Sequence, residues 1–261
     1  MVQPSRSYVL ACTPRVGSHL LSDALASTGI AGRPREWLPR FTRDTAPRTA
    51  SDRMKLVTQA PAVAPDAAAD AEHIARVLQA GTSENGVFGI VIHWPVLPDA
   101  VRRLHAFLGT GDPEPHRVLS SAFPGLSYVW VRRRDRVAQA VSWYKAIQTG
   151  TYVGPAGPSA AVEGELRFDY GKIRYLVAAL TSFENAWSSF FASSGVTPLV
   201  VHYEDLSANY VSTIRSVMDF LQLDAENADI ARPRHEKYAD ALSLSWIEQF
   251  KLLQGQARSA R

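Results

Sequence analysis

Cysteine is nearly absent from this chain, and long apolar runs are missing altogether. Cys12 is the sole cysteine of 261 residues, which excludes an intrachain disulfide. Its place in the apolar stretch SYVLAC (7–12) reads as a buried thiol rather than a nucleophile. No window supplies the roughly 18 apolar residues that a membrane span needs. The opening MVQPSRSYVL lacks the apolar segment and cleavage site of a secretory signal. These absences predict a soluble, cytoplasmic protein that neither crosses nor coats a membrane.

Several signatures are missing as well. There is no G-x-x-x-x-G-K-[ST] and no G-x-G-x-x-G, which argues against a nucleotide triphosphatase and against a Rossmann dehydrogenase. No His, Cys or carboxylate cluster has metal-ligand spacing, so no metal is expected. Charge is almost balanced, with 28 Lys and Arg against 25 Asp and Glu. Without a continuous basic stripe and interleaved aromatics, nucleic acid is not the expected partner. The basic residues bunch instead, as in VRRRDR (131–136), which suits a small polyanionic ligand.

What is present is an alternation. SYVLAC (7–12), VFGIVIHW (87–94), LSYVWV (126–131) and PLVVHY (198–203) read as strands buried on both faces. Helical periodicity falls at 18–29, 71–80, 96–108, 135–149, 171–194 and 208–222. Strand–helix alternation predicts an α/β fold with a central, mainly parallel sheet flanked by helices, and ligands at the carboxyl ends of its strands. Residues 39–66 and 150–165 read as long loops. With no repeat and no linker, residues 1–261 are expected to form one domain.

Two junctions are built for anions. In TPRVGS (13–18), Pro14 fixes the turn, Gly17 can take a positive φ, and the helix that follows presents unpaired N–H groups. Arg15 and Ser18 add a cation and a hydroxyl. These six residues equally fit an ordinary strand–turn–helix link capped by Ser18. In RRRDRVAQAVSW (132–143), Asp135 is a candidate N-cap, and Gln139, Ser142 and Ala146 share a helical face. Arg133 or Arg134, together with Ser142, could close on one phosphate, although a solvated basic turn fits the same residues. Two such junctions in one parallel sheet suggest a ligand with phosphates at both ends.

These residues carry a resemblance. YVLACTPRVGSHLLSDALASTGIAGRPREW, GVFGIVIHW, RRRDRVAQAVSWYKAIQTGTY, FENAWSSFF, VVHYEDL and YADALSLSW resemble, in order and spacing, bacterial carbohydrate sulfotransferases of the mycobacterial trehalose-sulfating type. Those enzymes use 3′-phosphoadenosine 5′-phosphosulfate (PAPS). The resemblance implies a P-loop-like three-layer sandwich that moves the sulfuryl group of PAPS to a hydroxyl of a carbohydrate or another small hydroxylated metabolite. It also implies a homodimer. It assigns Arg15, Val16, Gly17, Ser18 and His19 to the 5′-phosphosulfate loop, Arg133 and Ser142 to the 3′-phosphate, and Glu36 in GRPREW to the general base. Arg15 then acts as an electrostatic stabiliser.

The chain departs from that pattern at three places. His19 replaces a small hydroxyl residue, Val16 replaces Ser, and Val91 replaces a Lys. His19 or His93 could supply the missing donor, since imidazole can donate or accept near neutral pH. Trp37, Phe41, Trp94, Trp143, Tyr144 and Tyr152 are candidates for an acceptor pocket or, alternatively, for the core. The competing readings are a non-catalytic or divergent nucleotide-binding P-loop protein and, more remotely, a small-molecule kinase.

Overall fold

The computed structural model describes residues 4–38, 49–55, 67–109, 114–152, 166–233 and 240–259. Its centre is a four-stranded, all-parallel sheet in the order β2-β1-β3-β4. The strands are β1 (Arg6–Cys12), β2 (Val87–His93), β3 (Leu126–Arg132) and β4 (Leu199–His202). The chain builds outward from β1 to β2 and then returns to the other side of β1, so the order reverses between β1 and β3. Open α/β sheets form their ligand crevice at such a reversal, beyond the carboxyl ends of the strands.

Alternate residues of each strand enter opposite layers, as the pleat requires. Tyr8, Leu10 and Cys12 of β1, with Val129 and Val131 of β3, pack against α1 (Ser18–Ser27), α8 (Tyr203–Ala208) and α9 (Tyr210–Phe220). On the opposite face, Val9, Ala11, Phe88, Ile90, Tyr128 and Trp130 meet a second set of helices. These are α3 (Ala67–Gly81), α4 (Leu97–Leu108), α5 (Pro115–Ala122) and α7 (Tyr170–Ser194). A third cluster joins α6 (Arg136–Thr149), α7 and α10 (Ala241–Ser259). The result is the expected three-layer α/β arrangement, with β1 leading through a turn into α1.

Some elements differ from the sequence reading. The short α2 (Ala50–Lys55) lies inside the stretch read as a loop. A reciprocal cap starts it: Thr49 N–H donates to Asp52 Oδ2, and Asp52 N–H to Thr49 Oγ1. The rest of 39–66, apart from 49–55, lies outside the described residues, as does 153–165. The helix expected at 208–222 is Tyr210–Phe220, and a separate short helix, Tyr203–Ala208, precedes it, divided from it at Asn209 (φ −127°, ψ 56°). β2 stops at His93 because Trp94-Pro95-Val96 tightens into a 3-10 turn, where Pro95 has no N–H for a ladder. α5 and α10 were not anticipated.

One irregular segment matters for function. Residues 31–38 run along the outer edge of β2, where Arg33 N–H donates to Gly81 O at 2.8 Å and Val91 N–H to Arg35 O at 2.9 Å. Gly32 permits this passage. It sits at φ +69°, and a Cβ there would lie 2.8 Å from Gly89 N and 2.9 Å from Val87 O, both backbone atoms that cannot yield. Gly32→Ala is therefore expected to cost at least about 2 kcal/mol, read as a lower midpoint in urea unfolding.

Candidate active site

The carboxyl ends of β1, β2 and β3 open on one cavity of about 820 Å³. Pro14, Arg15, Gly17, Ser18, His19, Glu36, His93, Arg133 and Ser142 all line it. The structure thus gathers eight of the nine sequence-predicted site residues around a single space. The ninth, Val16, turns its side chain fully into the layer beneath α1 and can offer only its backbone. Val91 is likewise buried in that layer, 4% exposed.

The loop before α1 is shaped backbone-out. Arg15 and Gly17 both hold positive φ, 65° and 84°, one residue apart. For Arg15 this left-handed conformation is strained, a state that persists at ligand-clamping turns. Gly17 is the N-cap of α1, and no side chain caps the helix; Ser18 does not serve as the cap. The first turn therefore directs its N–H groups and positive dipole end toward the cavity. Tyr203 closes the far side: a Cβ on Gly17 would lie 2.6 Å from its ring.

Helix α6 supports the loop from the second junction. Asp135 Oδ1 caps α6 by accepting from Ala138 N–H at 2.8 Å, as the sequence predicts. Fully buried Gln139 donates from Nε2 to Thr13 Oγ1 at 2.9 Å and to Pro14 O at 2.6 Å. Its own carbonyl accepts from Arg136 at 2.7 Å. Arg136 and Arg132 both contact the buried carboxylate of Glu184 on α7. Arg15 Nε donates to Ser142 Oγ at 3.1 Å, and its Nη1 donates to Tyr152 O at 2.5 Å.

The two adjacent arginines take different roles. Arg134 is exposed and makes a two-pronged pair with Asp205, both contacts at 2.7 Å, away from the cavity. Arg133 turns inward, lies 4.6 Å from the centre of the Tyr203 ring, and donates to Arg15 O at 3.3 Å. Its Nε is sealed from solvent and meets no acceptor among the described residues. Burial pushes its guanidinium below the usual range, against the opposing pull of Tyr203, Glu204 and Asp135. A buried, under-partnered guanidinium is a site for an anion.

At the β2 end, Glu36 lies between two imidazoles. Its Oε1 is 3.0 Å from His93 Nε2 and 3.4 Å from His19 Nε2. An ionised carboxylate only accepts, so Nε2–H is the tautomer assigned to His93. Burial acts to raise the Glu36 carboxyl, but His93 first and then His19 outweigh it and hold the carboxyl far below the usual range. With 37% of its side chain still exposed, Glu36 can meet a ligand. The neighbouring Cys12 thiol is pushed well up by burial and, secondarily, by the Glu36 charge, consistent with a buried, inert thiol.

A comparison of the whole chain with known proteins decides its kinship. The family model for Stf0 sulphotransferase matches residues 7–252. The chain belongs to the Stf0 sulphotransferase family. It is similar to the trehalose 2-sulfotransferases of Mycobacterium tuberculosis and Mycolicibacterium smegmatis, each at 28% identity. Those alignments cover 96% and 94% of this chain and the same shares of the two relatives. Among solved structures it resembles a sulfotransferase from Alicyclobacillus acidocaldarius at 12% identity and a TM-score of 0.48, over 97% of this chain and 96% of that one. Another is the sulfotransferase domain of the Synechococcus PCC 7002 olefin synthase, at 17% identity and the same score, over 94% and 88%.

As an Stf0 sulfotransferase, the chain carries cavity residues that its sequence did not single out. Tyr203 reads as the last residue of a strand, yet it begins α8 and its ring faces Gly17. Ser243 and Ile247 arrive from α10. The i, i+3 spacing of Arg136 and Gln139 was the available signal for their bond. Of the aromatic candidates, Trp143 and Tyr152 line the cavity. Trp94 packs edge-on against Trp187, Trp37 joins the same cluster, and Tyr144 packs on Trp246 in the core. Phe41 lies outside the described residues. Among the described residues no group of three or more His, Cys, Asp or Glu side chains is set to hold a metal ion, and no helix is long and apolar enough to cross a membrane.

Proposed function

We propose that this sulfotransferase uses PAPS as donor and transfers its sulfuryl group in line to a hydroxyl of a small acceptor. Carbohydrates are the acceptor class suggested by its relatives' names, and another small hydroxylated metabolite fits the same chemistry. The observation that carries the reading is the meeting of two anion-ready junctions. Arg15 of the first donates to Ser142 of the second, with the sealed Arg133 Nε beside them. One ligand with a phosphate at each end suits both.

In this scheme Arg15, Ser18, His19 and the backbone of Val16 and Gly17 receive the 5′-phosphosulfate, and Arg133 and Ser142 receive the 3′-phosphate. Glu36 takes the proton of the acceptor hydroxyl, which hardly ionises near neutral pH. The acceptor oxygen forms a bond to sulfur while the bond from sulfur to the bridging oxygen breaks. The released electron pair stays on the 5′-phosphate of the product, 3′-phosphoadenosine 5′-phosphate (PAP). Fixed donors and positioning supply most of the rate, as in phosphoryl transfer.

The test is transfer of radiolabel from ³⁵S-PAPS to a panel of sugars and other hydroxyl compounds. Labelled product with stoichiometric PAP is expected; magnesium-dependent turnover of ATP, or PAP binding without transfer to any acceptor, contradicts the proposal. Arg133→Met should weaken PAP binding roughly 10- to 100-fold, the range for one lost charged hydrogen bond, with a much smaller change in kcat. Calorimetric titration and saturation kinetics separate the two effects.

A further inference from the structure

The two histidines aim Nε2 at the same oxygen of Glu36, yet their surroundings differ. The His93 side chain is 11% exposed, and its Nδ1 is sealed from solvent with no partner among the described residues. With one nitrogen enclosed and the other 3.0 Å from Glu36, this ring is committed to the carboxylate. His19 stands on the first turn of α1, beside Ser18, and is 33% exposed. Its contact with Glu36 is looser, 3.4 Å.

Resting on the sulfuryl transfer proposed above, we infer that these histidines divide their work: His19 donates a hydrogen bond to the sulfuryl group in flight, and His93 is a positioning residue that orients Glu36. The moving group must lie between the acceptor oxygen, which Glu36 touches, and the phosphosulfate held at Gly17 and Ser18. His19 is within reach of both ends of that path, being on the helix turn that follows the loop and next to Glu36. His93, at the end of β2, is held to Glu36 at 3.0 Å. A donor fixed at this point meets charge that spreads over the sulfuryl oxygens in the transition state.

The division has a second consequence for Glu36. Burial opposes its charge, and the imidazoles offset burial. When His19 turns to the sulfuryl group, one of the two offsetting donors is withdrawn. The carboxyl then rises, because His93 alone is left to offset burial. The titratable groups facing Glu36 are His93 from β2, His19 from α1 and the Cys12 thiol from β1.

The test compares His19→Ala, His19→Gln and His93→Ala with the unaltered enzyme. It measures kcat, PAP affinity, and inhibition by vanadate in the presence of PAP, since vanadate in a trigonal-bipyramidal arrangement mimics the sulfuryl group in flight. His19→Ala should lower kcat and vanadate affinity by a similar factor, about 100-fold, with PAP binding alone within about threefold. His19→Gln, which restores an N–H donor, should recover about tenfold of that loss. His93→Ala should keep vanadate affinity and move the acid limb of kcat to higher pH, because Glu36 loses its closest offsetting donor. The inference is overturned if His19→Ala is as active as the parent, if it weakens PAP binding as much as kcat, or if His93→Ala loses vanadate affinity equally. An unaltered enzyme that transfers nothing from PAPS removes the transfer reading, and the inference with it.

Discussion

Glu36→Gln should lower turnover about 1000-fold while leaving PAP affinity nearly unchanged, the loss expected when a positioned base disappears. The amide has the size of the carboxyl and can still accept from His93, so the loop and cavity keep their shape. It cannot take up the acceptor's proton. The pH dependence of the unaltered enzyme follows from the same geometry. Because the folded-state carboxyl is held below its usual range, the ionised form is present above the ordinary carboxylate pKa and is lost only as pH falls through the lower, folded value. In kcat/KM, which reports the free enzyme, there should therefore be no acid limb from Glu36 near about pH 4, where a free glutamate titrates. Steady-state kinetics across pH, together with calorimetry of PAP binding to the variant, check both statements. Full turnover in Glu36→Gln would move the base elsewhere.

Glu184→Gln should lower stability by about 3 kcal/mol, since removing one partner leaves two guanidinium groups facing a neutral amide in a largely buried setting. For a chain of this size that corresponds to a fall of roughly 6–10 °C in melting temperature. The effect should extend to the ligand. Glu184 holds Arg136, Arg136 holds the Gln139 carbonyl, and the Gln139 amide holds Thr13 and Pro14. With Arg136 released, the loop before α1 loses the support that fixes its backbone, and PAP affinity should fall as well. Differential scanning calorimetry with and without PAP measures the two losses together. An unchanged melting temperature would mean that the network contributes nothing.

The sheet was legible because its central strands are buried on both faces. Continuous apolar runs mark such strands, and the expected limits at 7–12 and 126–131 fall within one residue of those observed. The turn at Gly17 and the Asp135 cap were legible because each depends on local chemistry. Choosing between Arg133 and Arg134 depended on where β3 ends. Val129 and Val131 face the α1 layer, and Arg133 continues that parity toward the loop, while Arg132 follows Trp130 to the opposite face and reaches Glu184.

The contact between Glu36 and His93 was not legible. The two residues are 57 positions apart in the sequence, and a single backbone bond, Val91 N–H to Arg35 O, sets their register. No periodicity encodes a segment that runs along the edge of a strand without becoming one. Tyr203 and α10 were missed for a related reason: their roles come from what they pack against, Gly17 and α6, rather than from their own spacing.

The most direct measurement is calorimetric titration of the protein with PAP, with AMP and ATP as comparisons. If Arg133 and Ser142 hold a 3′-phosphate while the loop at Gly17 holds the 5′ end, PAP binds at least about 100-fold more tightly than AMP, which lacks the 3′ group. Equal binding of PAP and AMP, or a preference for ATP, would contradict a cleft built around the 3′- and 5′-phosphates of one donor.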